Sequence, residues 1–283
     1  MLTLVGISYF CLMEIKHNQY YDRFKEILSD PTNNLIKKVK GAGTIENGIV
    51  TMYNDLKVYK NCYYDEFSDI FSLNGGIHEP QEEYLFDSII SKIRKKSPTM
   101  LELGSYWGFY SMSLLKKKPE AKCHCVEAGE REMKSGKANF ELNQMEAEFT
   151  LGAVGDNGIR VDDFLNEKGI THLDILHSDI QGYEAQMLSG AREYFLAKAI
   201  DYVFISTHSQ NLHATCLEFM NYVDYNIVAS VDLNETFSCD GLIVAQNPRL
   251  AFKPIEFPKK SETPLISDAE MEELIETMRI SRH

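Results

Sequence analysis

Beyond Pro98 the chain alternates short apolar runs with stretches of helical periodicity. The runs are TMLELG, KCHCVEA, EFTLGAV, LDILHSDI, YVFIST, NIVASV and GLIVAQ. Between them, 109–118, 130–142, 161–167, 184–195 and 211–222 repeat apolar residues three and four positions apart. In the fourth of these, Met187, Leu188, Ala191 and Phe195 make one stripe. Strands that alternate with helices predict an α/β fold whose seven-stranded sheet is mostly parallel and covered on both faces. The last two runs follow one another without a helix, so the sheet should end in an antiparallel hairpin.

The flanking regions follow different patterns. Ahead of the alternating region the sequence predicts a helix over 20–28, a break at Asp30-Pro31, a glycine turn at 41–43, a hairpin around Asn54-Asp55 and a helix over 79–93. The opening MLTLVGISYFCLM is apolar, but it lacks a basic leader and reaches Glu14 and Lys16 too soon to span a bilayer, so a packed segment and a cytoplasmic protein are expected. After Pro248 comes a Pro- and Lys-containing linker, KPIEFPKKSETP. Ser267 and Glu270 then form a capping-box pattern that starts a last helix. The expected organisation is an N-terminal α/β cap over 1–75, a main domain over 76–248, and a linker with the C-terminal helix over 249–283. The terminal segments are too short to be stable alone, so they should dock on the main domain or on a second copy as a homodimer contact.

Composition narrows the partners. Lys and Arg total 29 against 42 Asp and Glu, a formal net charge of -13, and the basic residues form no cluster that would hold a polyanion, so nucleic acid is not an expected partner. No membrane partner is expected either. The six cysteines fit neither a disulfide framework nor paired metal knuckles. Cys123 and Cys125 read as buried thiols in a reducing compartment.

The candidate chemistry gathers at the carboxyl ends of the predicted strands, where open α/β sheets bind ligands. The first run ends in Glu102, Leu103, Gly104, Ser105, Tyr106, Trp107, Gly108, a turn whose glycines let backbone approach a ligand closely. Tyr106 stands where a pyrophosphate loop needs glycine, and Glu102 suits a cation better than phosphates. The second run ends in Glu127 and Ala128, with the acid placed to accept hydrogen bonds from both hydroxyls of a ribose. After the third, Val154 and Asp156 could meet an adenine. An adenosine with a cationic amino-acid tail, S-adenosylmethionine, fits this set. Asp179 ends the fourth run and His208 follows the fifth. Activating a hydroxyl needs a base or a metal. His208 as general base oriented by Asp179 is the expected catalytic pair; a divalent metal on Asp179, His208 and Asp240 is the alternative that is not favoured. His78, Glu79 and Gln181 are expected on the substrate side, and Glu184 is read as tying its helix to a nearby loop.

LELGSYWGFYSM, CVEAG, AVGD followed by VDDFL, and LDILHSDIQGYEAQMLSGA together resemble the FkbM-type S-adenosylmethionine-dependent methyltransferases over about residues 60–245. His177 stands where many members carry Lys. The resemblance implies a class I, Rossmann-like methyltransferase fold and O-methylation, often of sugar or small-metabolite hydroxyls, and a carbohydrate or other small-molecule or glycan hydroxyl is the expected acceptor. Two rivals remain: an N- or RNA methyltransferase, against which the acidic charge argues, and an inactive cofactor-binding or assembly module, whose mark would be loss of the cofactor acids. Both Glu102 and Glu127 are present.

Overall fold

A computed structural model of the chain describes residues 20–280. The apolar N-terminal run and Cys11 lie outside the described residues. Two compact units are present, one from Leu85 to Phe257 and one formed by the residues before Leu85 together with those from Pro258 onward.

The smaller unit holds α1 (Tyr21–Ser29), a three-stranded antiparallel sheet of β1 (Ile45–Glu46), β2 (Ile49–Thr51) and β3 (Lys57–Tyr59), α2 (Asp69–Leu73) and the start of α3 (Pro80–Ile90). The break at Asp30-Pro31 is a 3-10 turn over Pro31–Asn34, with the Asp30 side chain accepting from Thr32 N–H at 2.8 Å. The C-terminal helix belongs to this unit. Lys25 pairs with Asp268 at 2.7 Å, Lys260 pairs with Glu26 at 3.1 Å, and Ile266 N–H donates to Ser29 Oγ. The capping box forms as expected, with Glu270 N–H donating to Ser267 Oγ at 3.2 Å and Glu270 Oε2 accepting from Ser267 N–H at 2.7 Å.

The larger unit is the expected α/β sheet. In chain order it runs β4 (Thr99–Leu103), α4 (Phe109–Lys117), β5 (Lys122–Glu127), α5 (Glu130–Leu142), β6 (Glu148–Leu151), α6 (Val161–Glu167), β7 (Leu173–Ser178), α7 (Glu184–Gly190), α8 (Arg192–Leu196), β8 (Ile200–Thr207), α9 (Gln210–Tyr222), β9 (Asn226–Val231) and β10 (Gly241–Gln246). The C-terminal helix is α10 (Asp268–Ile280). The strands lie in the order β6-β5-β4-β7-β8-β10-β9, parallel except for β10, which is antiparallel to both neighbours. From β4 the chain winds outward through β5 and β6 and then returns to lay β7 on the other side of β4. The crevice at such a switch point, beyond the carboxyl ends of β4 and β7, is where an open α/β sheet takes its ligand.

One face of the sheet packs Leu101, Leu103, Leu176, Val203 and Ile205 against α6 to α9 through Phe164, Met187, Leu188 and Cys216. On the other, His177 is buried among Tyr110, Phe86 and Phe204, with its ring centroid 4.1 Å from that of Tyr110. One expected helix is two. The stripe over 184–195 breaks at Ala191, where both oxygens of Asp162 accept from the N–H groups of Glu193 and Tyr194 and so start α8 afresh. Among the described residues no helix is long and apolar enough to cross a membrane.

Candidate active site

The glycine turn closes the crevice on the β4 side. Gly104 and Ser105 both donate their N–H groups to Val126 O, at 2.9 and 3.0 Å. Gly104 has φ +74, and a Cβ there would stand 1.7 Å from Asp179 O, while Asp179 N–H donates to Leu103 O at 2.9 Å. The glycine is therefore required for two strand ends to touch, a different reason from the ligand approach that the sequence suggested. Ser105 Oγ, in a side chain 3% exposed, has no hydrogen-bond partner among the described residues, which leaves a buried hydroxyl for a ligand. Gly108 is the left-handed N-cap of α4.

Glu127 faces the same turn. Its Oε2 accepts from Tyr106 N–H at 2.9 Å and its Oε1 from Gly129 N–H at 2.8 Å. A carboxylate offers about four lone-pair sites, so each oxygen retains one for a ribose hydroxyl. Ala128, beside it, is exposed. Glu102 sits elsewhere: it is 2% exposed and accepts from Ser111 N–H at 3.0 Å in the first turn of α4. Burial raises its carboxyl, while nearby His177 and the Ser111 hydrogen bonds act in the opposite sense. It anchors the helix beneath the turn. Val154 is buried in the loop after β6, and Asp156 is exposed there, 3.8 Å from Arg160. The turn, the Ser105 hydroxyl and the Glu127 carboxylate fit the methionine and ribose parts of S-adenosylmethionine.

Across the crevice three acids surround one imidazole. His208 follows β8, and its Nδ1 lies 3.0 Å from Glu184 Oε1, while its Nε2 is 3.2 Å from Asp179 Oδ1 and 3.5 Å from Asp240 Oδ1. Parallel pairing of β7 with β8, in the register Ser178↔Ile205, brings Asp179 and His208 out at the same edge of the sheet. Asp240 arrives through the antiparallel register Gly241↔Thr207, and Gly241 is needed there because a Cβ would lie 2.6 Å from Thr207 Oγ1 and 2.9 Å from His213 Nδ1. Burial alone would lower the histidine's affinity for a proton. The carboxylates of Asp179 and Glu184, and then the charge of Asp240, outweigh it and push the imidazole up to about 10. His208 is thus a cation at neutral pH, which differs from the neutral base expected from the sequence. Gln181 Nε2 donates to Asp179 Oδ1 at 3.0 Å.

His78 and Glu79 belong to the smaller unit. His78 is 2% exposed, with Nδ1 2.5 Å from Glu83 Oε1 and Nε2 3.5 Å from Glu79 Oε2, among the rings of Tyr63 and Phe71. Among the described residues the acids and histidines whose ligand atoms come close enough to hold one ion are His172, Asp174 and Asp201, at the amino ends of β7 and β8. Asp174 there is already engaged by Lys95 and by Thr99 N–H. Sequence reasoning missed the link from Glu184 to His208. The Asp179-x-x-Gly182-x-Glu184 spacing was visible, but the partner lies on another strand.

The family model of the methyltransferase FkbM domain matches residues 61–227. No curated protein matches. Solved structures similar to the chain include the precorrin-6y C5,15-methyltransferase of Geobacter metallireducens, at 12% identity, covering 58% of this chain and 88% of that one, with a TM-score of 0.43. The M. capricolum TrmK in complex with S-adenosyl-homocysteine has 13% identity, covers 70% and 83%, and gives 0.44. The ribosomal protein L11 methylase of Lactobacillus delbrueckii subsp. bulgaricus has 12% identity, covers 61% and 80%, and also gives 0.44.

Proposed function

The chain belongs to the FkbM methyltransferase family and takes S-adenosylmethionine as its cofactor, and on that premise we propose that it methylates a hydroxyl of a small substrate, a carbohydrate. The observation that carries this reading is the placement of Asp179. It directly follows the strand at the switch point, touches the glycine turn through its backbone, and leaves a third of its side chain open. The rim around it is rich in acceptors, with Asp240 and the Gln181 amide beside it. Such a rim suits the several hydroxyl donors of a sugar.

The cofactor supplies a methyl group already activated on a sulfonium. The chain must hold the acceptor oxygen in line at about 3 Å and take its proton as the new C–O bond forms and the S–C bond breaks. A protonated imidazole has no lone pair to offer. Asp179 therefore receives the proton, and the His208 cation beside it offsets the charge of Asp240 and keeps the carboxylate aimed.

The test is a methyl-transfer screen with labelled cofactor against nucleotide sugars, oligosaccharides, RNA and protein, each with and without EDTA. Label in an alkali-stable ether of a sugar is expected, with Asp179→Asn slower by about 10² to 10⁴. Label in RNA or protein alone would overturn the assignment.

A further inference from the structure

We propose that Glu184 is a positioning residue for methyl transfer, holding Nδ1 of His208 from inside the protein so that Nε2 stays on the side of Asp179 and Asp240. The proposal rests on the function proposed above and gives a role to a group that function does not use.

Glu184 is fully buried as the first residue of α7. Its Oε1 accepts from Gly182 N–H at 3.1 Å and lies 3.0 Å from His208 Nδ1. Its Oε2 has no hydrogen-bond partner among the described residues. A buried carboxylate with an unsatisfied oxygen is costly, and a buried ion pair stabilises a fold no better than apolar residues of the same volume. Packing does not call for an acid here either, since the neighbouring Met187, Leu188 and Cys216 are core residues. What the pair provides is direction. An imidazole at a strand end turns about two side-chain bonds, and fixing one nitrogen fixes where the other points.

The chain between the two acids makes this grip possible. From Asp179 to Glu184 it passes through Gln181 at φ +53 and Gly182 at φ +102. That reversal lets acids five positions apart reach the two opposite nitrogens of one ring. The charged groups that face the imidazole are Asp179 from the end of β7, Glu184 from α7 and Asp240 from the start of β10.

The test pairs Glu184→Gln and Glu184→Ala with nitrogen-15 spectra of the His208 ring. In the wild type at pH 7 both ring nitrogens should be protonated, with Nδ1–H protected from exchange. Glu184→Gln keeps an acceptor but no charge. It should leave S-adenosylmethionine affinity unchanged, bring the His208 titration down, and lower kcat by about 10-fold. Glu184→Ala should lower kcat by about 10²-fold. Variants that fold, keep kcat and keep the wild-type His208 titration would overturn the proposal. A His208 ring whose Nδ1 carries no proton in the wild type at pH 7 would overturn it as well, and that spectrum needs no acceptor substrate. Failure of the clamp is thereby separated from failure of the carbohydrate reading, which shows only as a wild-type protein that methylates no sugar.

Discussion

At the scale of single residues, the acids of the crevice divide by what their oxygens already hold. Glu127 spends one lone pair of each oxygen on backbone N–H groups, so Glu127→Ala would loosen the turn as well as any contact the acid makes with ribose. Glu127→Gln is the cleaner probe. Loss of charge-assisted hydrogen bonds to ribose should cost about 2 kcal/mol, or roughly 30-fold in S-adenosylmethionine affinity by calorimetry, and an unchanged affinity would place the ribose elsewhere. His208 makes a prediction in pH. Its proton affinity is raised from 6.5 to about 10 on folding, so the stability it contributes is fully present below about pH 6.5 and is lost as pH rises through about 10. Chemical denaturation from pH 6 to 10 should show the wild type losing stability along this window, with His208→Asn much flatter. Parallel curves would mean that the three acids do not hold a cation.

At the scale of elements, the decisive contact is between two strand ends. Gly104 combines a positive φ with a Cβ position only 1.7 Å from a carbonyl oxygen of the neighbouring turn. Gly104→Ala should therefore cost at least about 3 kcal/mol and lower the melting temperature, with cofactor binding lost because the turn is lost. An unchanged melting curve would return the glycine to a purely ligand-facing role. The strands, the mostly parallel character of their sheet and the final hairpin were legible in the sequence because short apolar runs alternate with amphipathic helices until the last two. The break at Ala191 was not, because the stripe of Met187, Leu188, Ala191 and Phe195 crosses it unbroken. The signal that restarts the helix is the Asp162 side chain, some thirty positions away in the chain. The same limit hid the site's inner half. Asp179 and His208 were readable as strand ends, whereas the grip of Glu184 on His208 and the burial of Glu102 under α4 depend on which faces the helices turn inward.

At the scale of the whole molecule, residues 20–84 and 258–280 belong to one unit and 85–257 to the other, so the family match over 61–227 includes sequence from both. Charge is the property that belongs to the molecule as a whole. A formal net charge of -13 is accompanied by an acid-rich site, where Asp179, Glu184 and Asp240 surround a single imidazole. An RNA substrate would have to bring its phosphates toward this rim, and its affinity would depend on releasing counterions to lysines and arginines. Two basic side chains of the larger unit are already engaged by acids: Arg160 lies between Asp156 and Asp163, and Lys134 pairs with Glu130. Transfer RNA should show no retardation with micromolar protein at 50 mM salt. It should also fail to inhibit methylation of a sugar acceptor, since a neutral polyol meets none of this repulsion. A complex that forms at low salt and weakens steadily as salt is raised would reveal a basic surface sufficient for a polyanion and would make RNA the substrate to pursue.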